Sequence, residues 1–220
     1  MRIQFMLTLL LGISVAGLSQ PYTTNYKTAV TEYTVINNDY DVVNVNGPVA
    51  VDLGNGFEIF NENGEGLDSY ISPNDYKYII YKDANDSVIT LKSLVIQDFS
   101  VSYKVFMHAL IENSEEDLKT GKIDLYLYQY SHMTERNYGN VHGNSQHGYF
   151  TVHHTNYYIK DMNGLHRIDY KNQFKEFPTV LGLSTYKAMK RSNDKKQFLY
   201  NHLTQYNQKI SLKSSNPNTQ

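Results

Sequence analysis

The tetrapeptide Asp161-Met162-Asn163-Gly164 lies between two β-prone runs, residues 150–160 and 165–170. Asn-Gly is the strongest short-range hairpin signal, because a primed turn needs positive φ at both central residues. Residues 122–130 supply a matching strand. There Ile123, Leu125 and Leu127 alternate with Asp124, Tyr126 and Tyr128, the period of a strand with one buried face. A second hairpin is expected from runs 76–81 and 88–96 around the polar segment 82–87. Nearer the N-terminus, residues 30–36, 40–45, 49–53 and 57–60 are short β-prone runs separated by Asn37-Asn38, Asn46-Gly47 and Gly54-Asn55-Gly56. Residues 101–106 read as a further strand, while 107–111 are too short and apolar to assign by period.

The pattern changes after Tyr170. Phe174 and Phe177 open a helical spacing that Pro178 interrupts, and Ser184 is placed to cap a helix through Arg191. Asn193 or Asp194 can cap another, with Phe198, Leu199, His202, Leu203 and Tyr206 along one face. The residues after Ile210 read as a polar, frayed tail. These elements predict an α+β fold: an antiparallel β-sheet with a C-terminal helical segment packed on it. The expected boundaries are a β-rich region over 20–170, the helical segment of the same domain over 171–210, and a flexible tail over 211–220. Residues 161–220 carry a net charge of +6 and residues 21–160 one of −9. The split reads as basic helices and acidic strands attracting each other within one domain, in preference to a separate basic binding module.

Residues 1–19 have the pattern of an export signal: Arg2, an apolar stretch over 5–15, then Gly17-Leu18-Ser19 before an expected cleavage at Gln20. The apolar stretch is shorter than the ~20 residues a membrane-spanning helix needs, so no transmembrane segment is expected once the signal is removed. The expected destination is periplasmic, cell-surface or secreted. The chain has no Cys, which excludes disulfides, thiolate metal sites and cysteine nucleophiles. A formal net charge of −2 supplies no field for nucleic acid.

Two groups of residues could carry chemistry. His132, His142, His147 and His153 fall in or beside a polar segment, 131–148, read as a loop between strands. Neutral imidazoles suit zinc, copper or nickel, so a divalent metal is the one cofactor these residues could hold. His153 and His154 are adjacent on a strand and point to opposite faces, so both cannot easily enter one site. The other group is aromatic: the chain has 20 Tyr and no Trp. Tyr126, Tyr128 and Tyr130 share one face of one strand, with Tyr157 and Tyr158 in its expected neighbour. Such a face can stack on sugars or accept a peptide. No G-x-S-x-G and no phosphate-binding glycine loop occurs. The acidic group Glu112, Glu115, Glu116 and Asp117 lacks the order of a calcium loop and reads as a solvated loop or helix start.

The segment from Ala109 through Gly121-Lys122-Ile123-Asp124-Leu125-Tyr126-Leu127-Tyr128, the hairpin Tyr157-Tyr158-Ile159-Lys160-Asp161-Met162-Asn163-Gly164, and helices closing on Tyr206-Asn207 resemble a group of exported, functionally uncharacterised proteins of Bacteroidota-type bacteria. The resemblance covers about residues 70–210 and implies export and architecture, with no catalytic residues. The chain departs from the group in its histidine-bearing insertion at 131–148 and in having Phe177-Pro178-Thr179 where an acidic-Cys-Pro segment starts the helices. The expected function is a non-catalytic envelope or secreted module binding an envelope or extracellular partner through the tyrosine face or the 131–148 segment. The rivals are a histidine-based metal protein or metal-dependent enzyme, and a purely structural module.

Overall fold

The structure is a computed structural model and describes residues 29–30, 32–45, 49–52, 56–60, 66–83, 85–98, 101–139, 145–169 and 171–215. The expected signal, 1–19, and the last residues of the tail, 216–220, lie outside the described residues. The strands are β1 (Ala29–Val30), β2 (Tyr33–Asn37), β3 (Val42–Val43), β4 (Val49–Asp52), β5 (Gly56–Phe60), β6 (Gly66–Ile71), β7 (Tyr76–Lys82), β8 (Val88–Asp98), β9 (Val101–Ile111), β10 (Asp124–Gly139), β11 (Ser145–Asp161) and β12 (Gly164–Arg167). They form a four-stranded sheet, β1-β4-β5-β6, and an eight-stranded sheet, β12-β11-β10-β9-β8-β7-β2-β3. Every pairing is antiparallel. The helices are α1 (Glu115–Lys119), α2 (Lys171–Glu176), α3 (Gly182–Arg191) and α4 (Lys195–Ser215). The fold is α+β, with the helical segment at its C-terminal end.

Strand alternation divides the large sheet into two faces. Leu125 and Ile159 enter one cluster with Ile168, Phe174, Val180, Leu181, Met189, Leu199 and Leu203, so the helices cover this face. Asn207 of α4 pins helix to sheet. Its Nδ2 donates to the Ile123 carbonyl at 2.8 Å and its Oδ1 accepts from the Ile123 N–H at 2.9 Å. Farther along the same face Val35, Ile79, Leu91 and Phe106 pack with Ile71 from the end of β6. On the opposite face Tyr126, Tyr128 and Tyr158 pack with Ile96, Val105 and Met107.

The sequence expectations differ from the structure in instructive places. The 161–164 hairpin forms, but Met162 and Asn163 are its central residues, because Asp161 pairs with Gly164. Asn163 does not adopt positive φ, whereas Gly164 does, at 141°. The Asp161 Oδ1 accepts from the N–H groups of Asn163 at 2.8 Å and Gly164 at 3.1 Å, so an aspartate side chain organises the turn. Ser184 does not cap α3, which begins at Gly182 after Leu181. Its first turn follows directly from the turn in which Leu181 N–H donates to the Phe177 carbonyl at 2.8 Å. Asp194 does cap α4, accepting from Gln197 N–H at 2.9 Å. That helix continues through Ser215, past the expected end at Ile210. The largest difference is at 131–148, where β10 runs on to Gly139 and β11 begins at Ser145. Most of the expected loop is a paired ribbon.

No described helix is long and apolar enough to cross a membrane.

Candidate functional site: a cleft between two hairpin arms

The eight-stranded sheet forks. β9 and β10 pair only at Ile111↔Leu125, Ala109↔Tyr126 and His108↔Leu127, with a register shift between Leu125 and Tyr126. Beyond that point β9 stays with β8 out to Val101↔Asp98, and β10 stays with β11 out to Gly139↔Ser145. Two hairpins therefore leave a common root at the same end of the sheet. The second arm extends twelve residues past the root, from 128 to 139, roughly 40 Å at ~3.3 Å per residue.

A cleft of about 380 Å³ opens between the arms on the face opposite the helices. Val95, Ile96, Gln97 and Tyr103 line it from β8 and β9. Tyr128, Tyr130, Asn156, Tyr158, Leu165 and Arg167 line it from β10, β11 and β12. Register explains the convergence, since Tyr128 pairs with Asn156 and Tyr158 with Arg167. Cross-strand partners share a face, so two adjacent rows on one face of the sheet carry all four. Tyr128 and Tyr130 stack at 5.1 Å between ring centroids, and Tyr130 stacks on His154 at 4.7 Å. The result is a short aromatic ladder along the second arm.

The polar groups sit at the inner end. The Arg167 Nη2 donates to the Asn156 Oδ1 at 3.0 Å, and its Nε is ion-paired with Asp169. Asp169 is itself held by the Tyr157 N–H at 2.9 Å. Asn156 and Tyr158 are 6% and 5% exposed. Among the described residues the Asn156 amide nitrogen and the Tyr158 hydroxyl have no hydrogen-bond partner. No described polar atom is both fully buried and unpartnered, so what exposure these two atoms have is to the cleft that their residues line. Burial pushes the Tyr158 hydroxyl up to about 12, partly offset by the Arg167 charge, so it remains protonated and able to donate.

The five tyrosines singled out in the sequence are divided by this arrangement. Tyr128, Tyr130 and Tyr158 line the cleft. Tyr126 shares their face but is 0% exposed, its hydroxyl donating to the buried Asp124 at 3.0 Å. Burial first and Asp124 second raise its pKa. Tyr157 points to the other face and packs against the helix cluster. Asn156, Arg167, Ile96 and Tyr103 were not legible as site residues. Their signal was the pairing of β11 with β12 and of β8 with β9, which requires knowing the register.

The histidines are distributed by the same register. Positions 132, 147 and 153 pair with 152, 137 and 131. Strand parity sets position 132 on one face of the ribbon and positions 147 and 153 on the other. The latter two are six residues apart, about 20 Å along the strand, whereas ligands to one zinc ion approach within ~2.3 Å of it. The backbone therefore does not gather these three positions at one point. His142 lies outside the described residues. His153 is exposed, and His154 belongs to the aromatic ladder. Among the described residues no group of three His, Asp or Glu is arranged to hold a metal.

Comparison with protein-family models, curated proteins and solved structures finds no match to this chain.

Proposed function

We propose that this chain is an exported, non-catalytic binding module whose ligand occupies the cleft between the two hairpin arms. One observation carries the reading. Two side chains more than nine-tenths buried, Asn156 and Tyr158, leave polar atoms unpartnered at an aromatic cleft. Each side chain is fixed by packing while its polar atom stays accessible, so the two atoms are presented to whatever fills the cleft. A concave apolar site with a few convergent polar groups is the usual form of a ligand pocket. Its charged lining residue, Arg167, is engaged by Asp169, an arrangement suited to holding a ligand rather than moving protons. Export is supported by the basic, apolar and small-residue pattern of residues 1–19.

The test is a solution titration read at the site. The exported chain, carrying labelled Asn side-chain amides and Tyr rings, is mixed in turn with saccharides, nucleosides, short peptides and amino acids. The expected result is that one class shifts the Asn156 amide together with the Tyr130 and Tyr158 rings. If no class moves these signals, the cleft is not a ligand site. N-terminal sequencing of chain recovered from the envelope or medium should begin at Gln20, and an intact Met1 would overturn export by signal cleavage.

A further inference from the structure

We propose that the ligand of this cleft is an uncharged saccharide, a pyranose or a short run of pyranoses. The inference rests on the cleft being a ligand site and names the class of molecule it takes.

Charge argues first. Arg167 would ordinarily attract a carboxylate or phosphate, but its Nε edge is engaged by Asp169. Asp169 is fixed by the Tyr157 backbone, and the Arg167 Nη2 is directed to Asn156. A bidentate anion needs a guanidinium edge with two parallel N–H groups. Here it would also approach a carboxylate already in place. A neutral ligand meets a compensated ion pair and is not repelled.

The unpartnered atoms argue next. Asn156 Nδ2 is a donor, and the Tyr158 hydroxyl both donates and accepts. A sugar hydroxyl is donor and acceptor at once and satisfies either group. A hydrocarbon ligand would leave both without partners.

Shape and surface complete the argument. Tyr130 and, on the opposite wall, the exposed Tyr103 present aromatic surface beside these polar groups. Aromatic faces are electron-rich. The C–H bonds on one side of a pyranose are weakly positive, so the sugar packs on such a face while its hydroxyls reach outward. The volume of about 380 Å³ lies at the small end of the ~300–1,000 Å³ range of ligand pockets. That accommodates a monosaccharide or disaccharide, with a longer chain leaving along the open side, and does not admit a folded domain.

The experiment is a calorimetric and NMR titration of the exported chain with maltose, cellobiose, chitobiose, lactose and mannobiose. Digalacturonate, adenosine and trialanine form the other arms. At least one neutral disaccharide should bind and shift the Asn156 amide. Asn156→Ala and Tyr130→Leu should each weaken that binding about tenfold. Tyr130 is only partly buried, so Tyr130→Leu keeps the test open if Asn156→Ala fails to fold; its melting temperature is measured alongside. Tighter binding of digalacturonate, adenosine or trialanine at the same signals would overturn the saccharide assignment and leave the binding module standing. Binding that both variants leave unchanged would overturn the assignment, because the sugar would then sit elsewhere. Silence from every arm would overturn the assignment and the ligand site together.

Discussion

Mild acid should destabilise this protein through one partly buried imidazole. His108 lies in β9, paired with Leu91 of β8 and Leu127 of β10, on the face the helices cover. Burial first, and the Lys196 ammonium second, hold its pKa down to about 4, against a small opposing effect of Asp83. In the unfolded chain the same ring titrates near ~6.5. The folded-state value is the lower one, so between about 4 and 6.5 the unfolded state binds more protons. The contribution of the neutral ring is complete above that window and is lost as pH falls through it. Lowering pH from 7 to 4.5 should cost about 2.4 kcal/mol from this group, or ~5–10 °C in melting temperature for a chain of this size. Asp83, Asp117 and Asp161 have lowered pKa values, so what they contribute is lost only below their ordinary value of 3.8. The assay is thermal melting followed by circular dichroism at pH 7, 6, 5 and 4.5, for wild type and His108→Leu. Leucine suits the flanking Leu91 and Leu127 and cannot titrate, so the variant should lose most of the dependence. Equal slopes for the two proteins across that range would refute the account of His108.

Other perturbations follow from the packing and register. Asn207→Ala removes both bonds to Ile123, leaving its N–H unpaired while its carbonyl keeps the bond from Asn113 Nδ2 at 3.1 Å; a loss of ~1–3 kcal/mol is expected by denaturant titration, and less than ~0.5 kcal/mol would mean water replaces the clamp. Phe174, 0% exposed in the helix-side cluster, should cost ~3–5 kcal/mol as Phe174→Ala, measured the same way. Positions 132 and 147 fall on opposite faces of the ribbon, so His132→Ala and His147→Ala should alter any zinc-induced melting shift independently. Complete loss of that shift in each of the two single variants would put both residues on one metal and refute the register there.

Period carried much of the fold. The alternation over 122–130 located a strand but not its burial, since Asp124 through Tyr128 are buried on both faces, and the spacing of Leu199 and Leu203 located the helix that covers one of them. Both patterns are local, and each was long enough to be distinguished from its competitor. Turn chemistry was less transparent. Asn163-Gly164 correctly marked a hairpin, yet Asp161 makes the side-chain bonds that set which residues turn. Asx turns compete with primed turns for the same residues. The 131–148 segment was misread for a related reason. Its Asn, Gly and His residues are weak strand formers, but a ribbon continuing from a well-packed root inherits its register from β10 and β11 and needs little propensity of its own.

The site was half legible, and the missing half follows from the sheet's geometry. Alternation correctly put Tyr126, Tyr128 and Tyr130 on one face and separated Tyr157 from Tyr158. It could not distinguish the sealed Tyr126 from the cleft-lining Tyr130, because parity is identical along a strand. What differs is the neighbour. Tyr126 stands where β9 still pairs with β10, opposite Ala109, and its hydroxyl closes on Asp124. Two residues on, Tyr128 is past the last β9–β10 pair, and by Tyr130 the facing wall is Tyr103 across open space. The register shift between Leu125 and Tyr126 lies at the root of that opening, as bulges do when they bend one strand away from its partner. A sheet that stayed paired would have continued the same tyrosine row beside a strand. Forking converts the row into a wall, and the polar atoms of Asn156 and Tyr158 lie at its inner end.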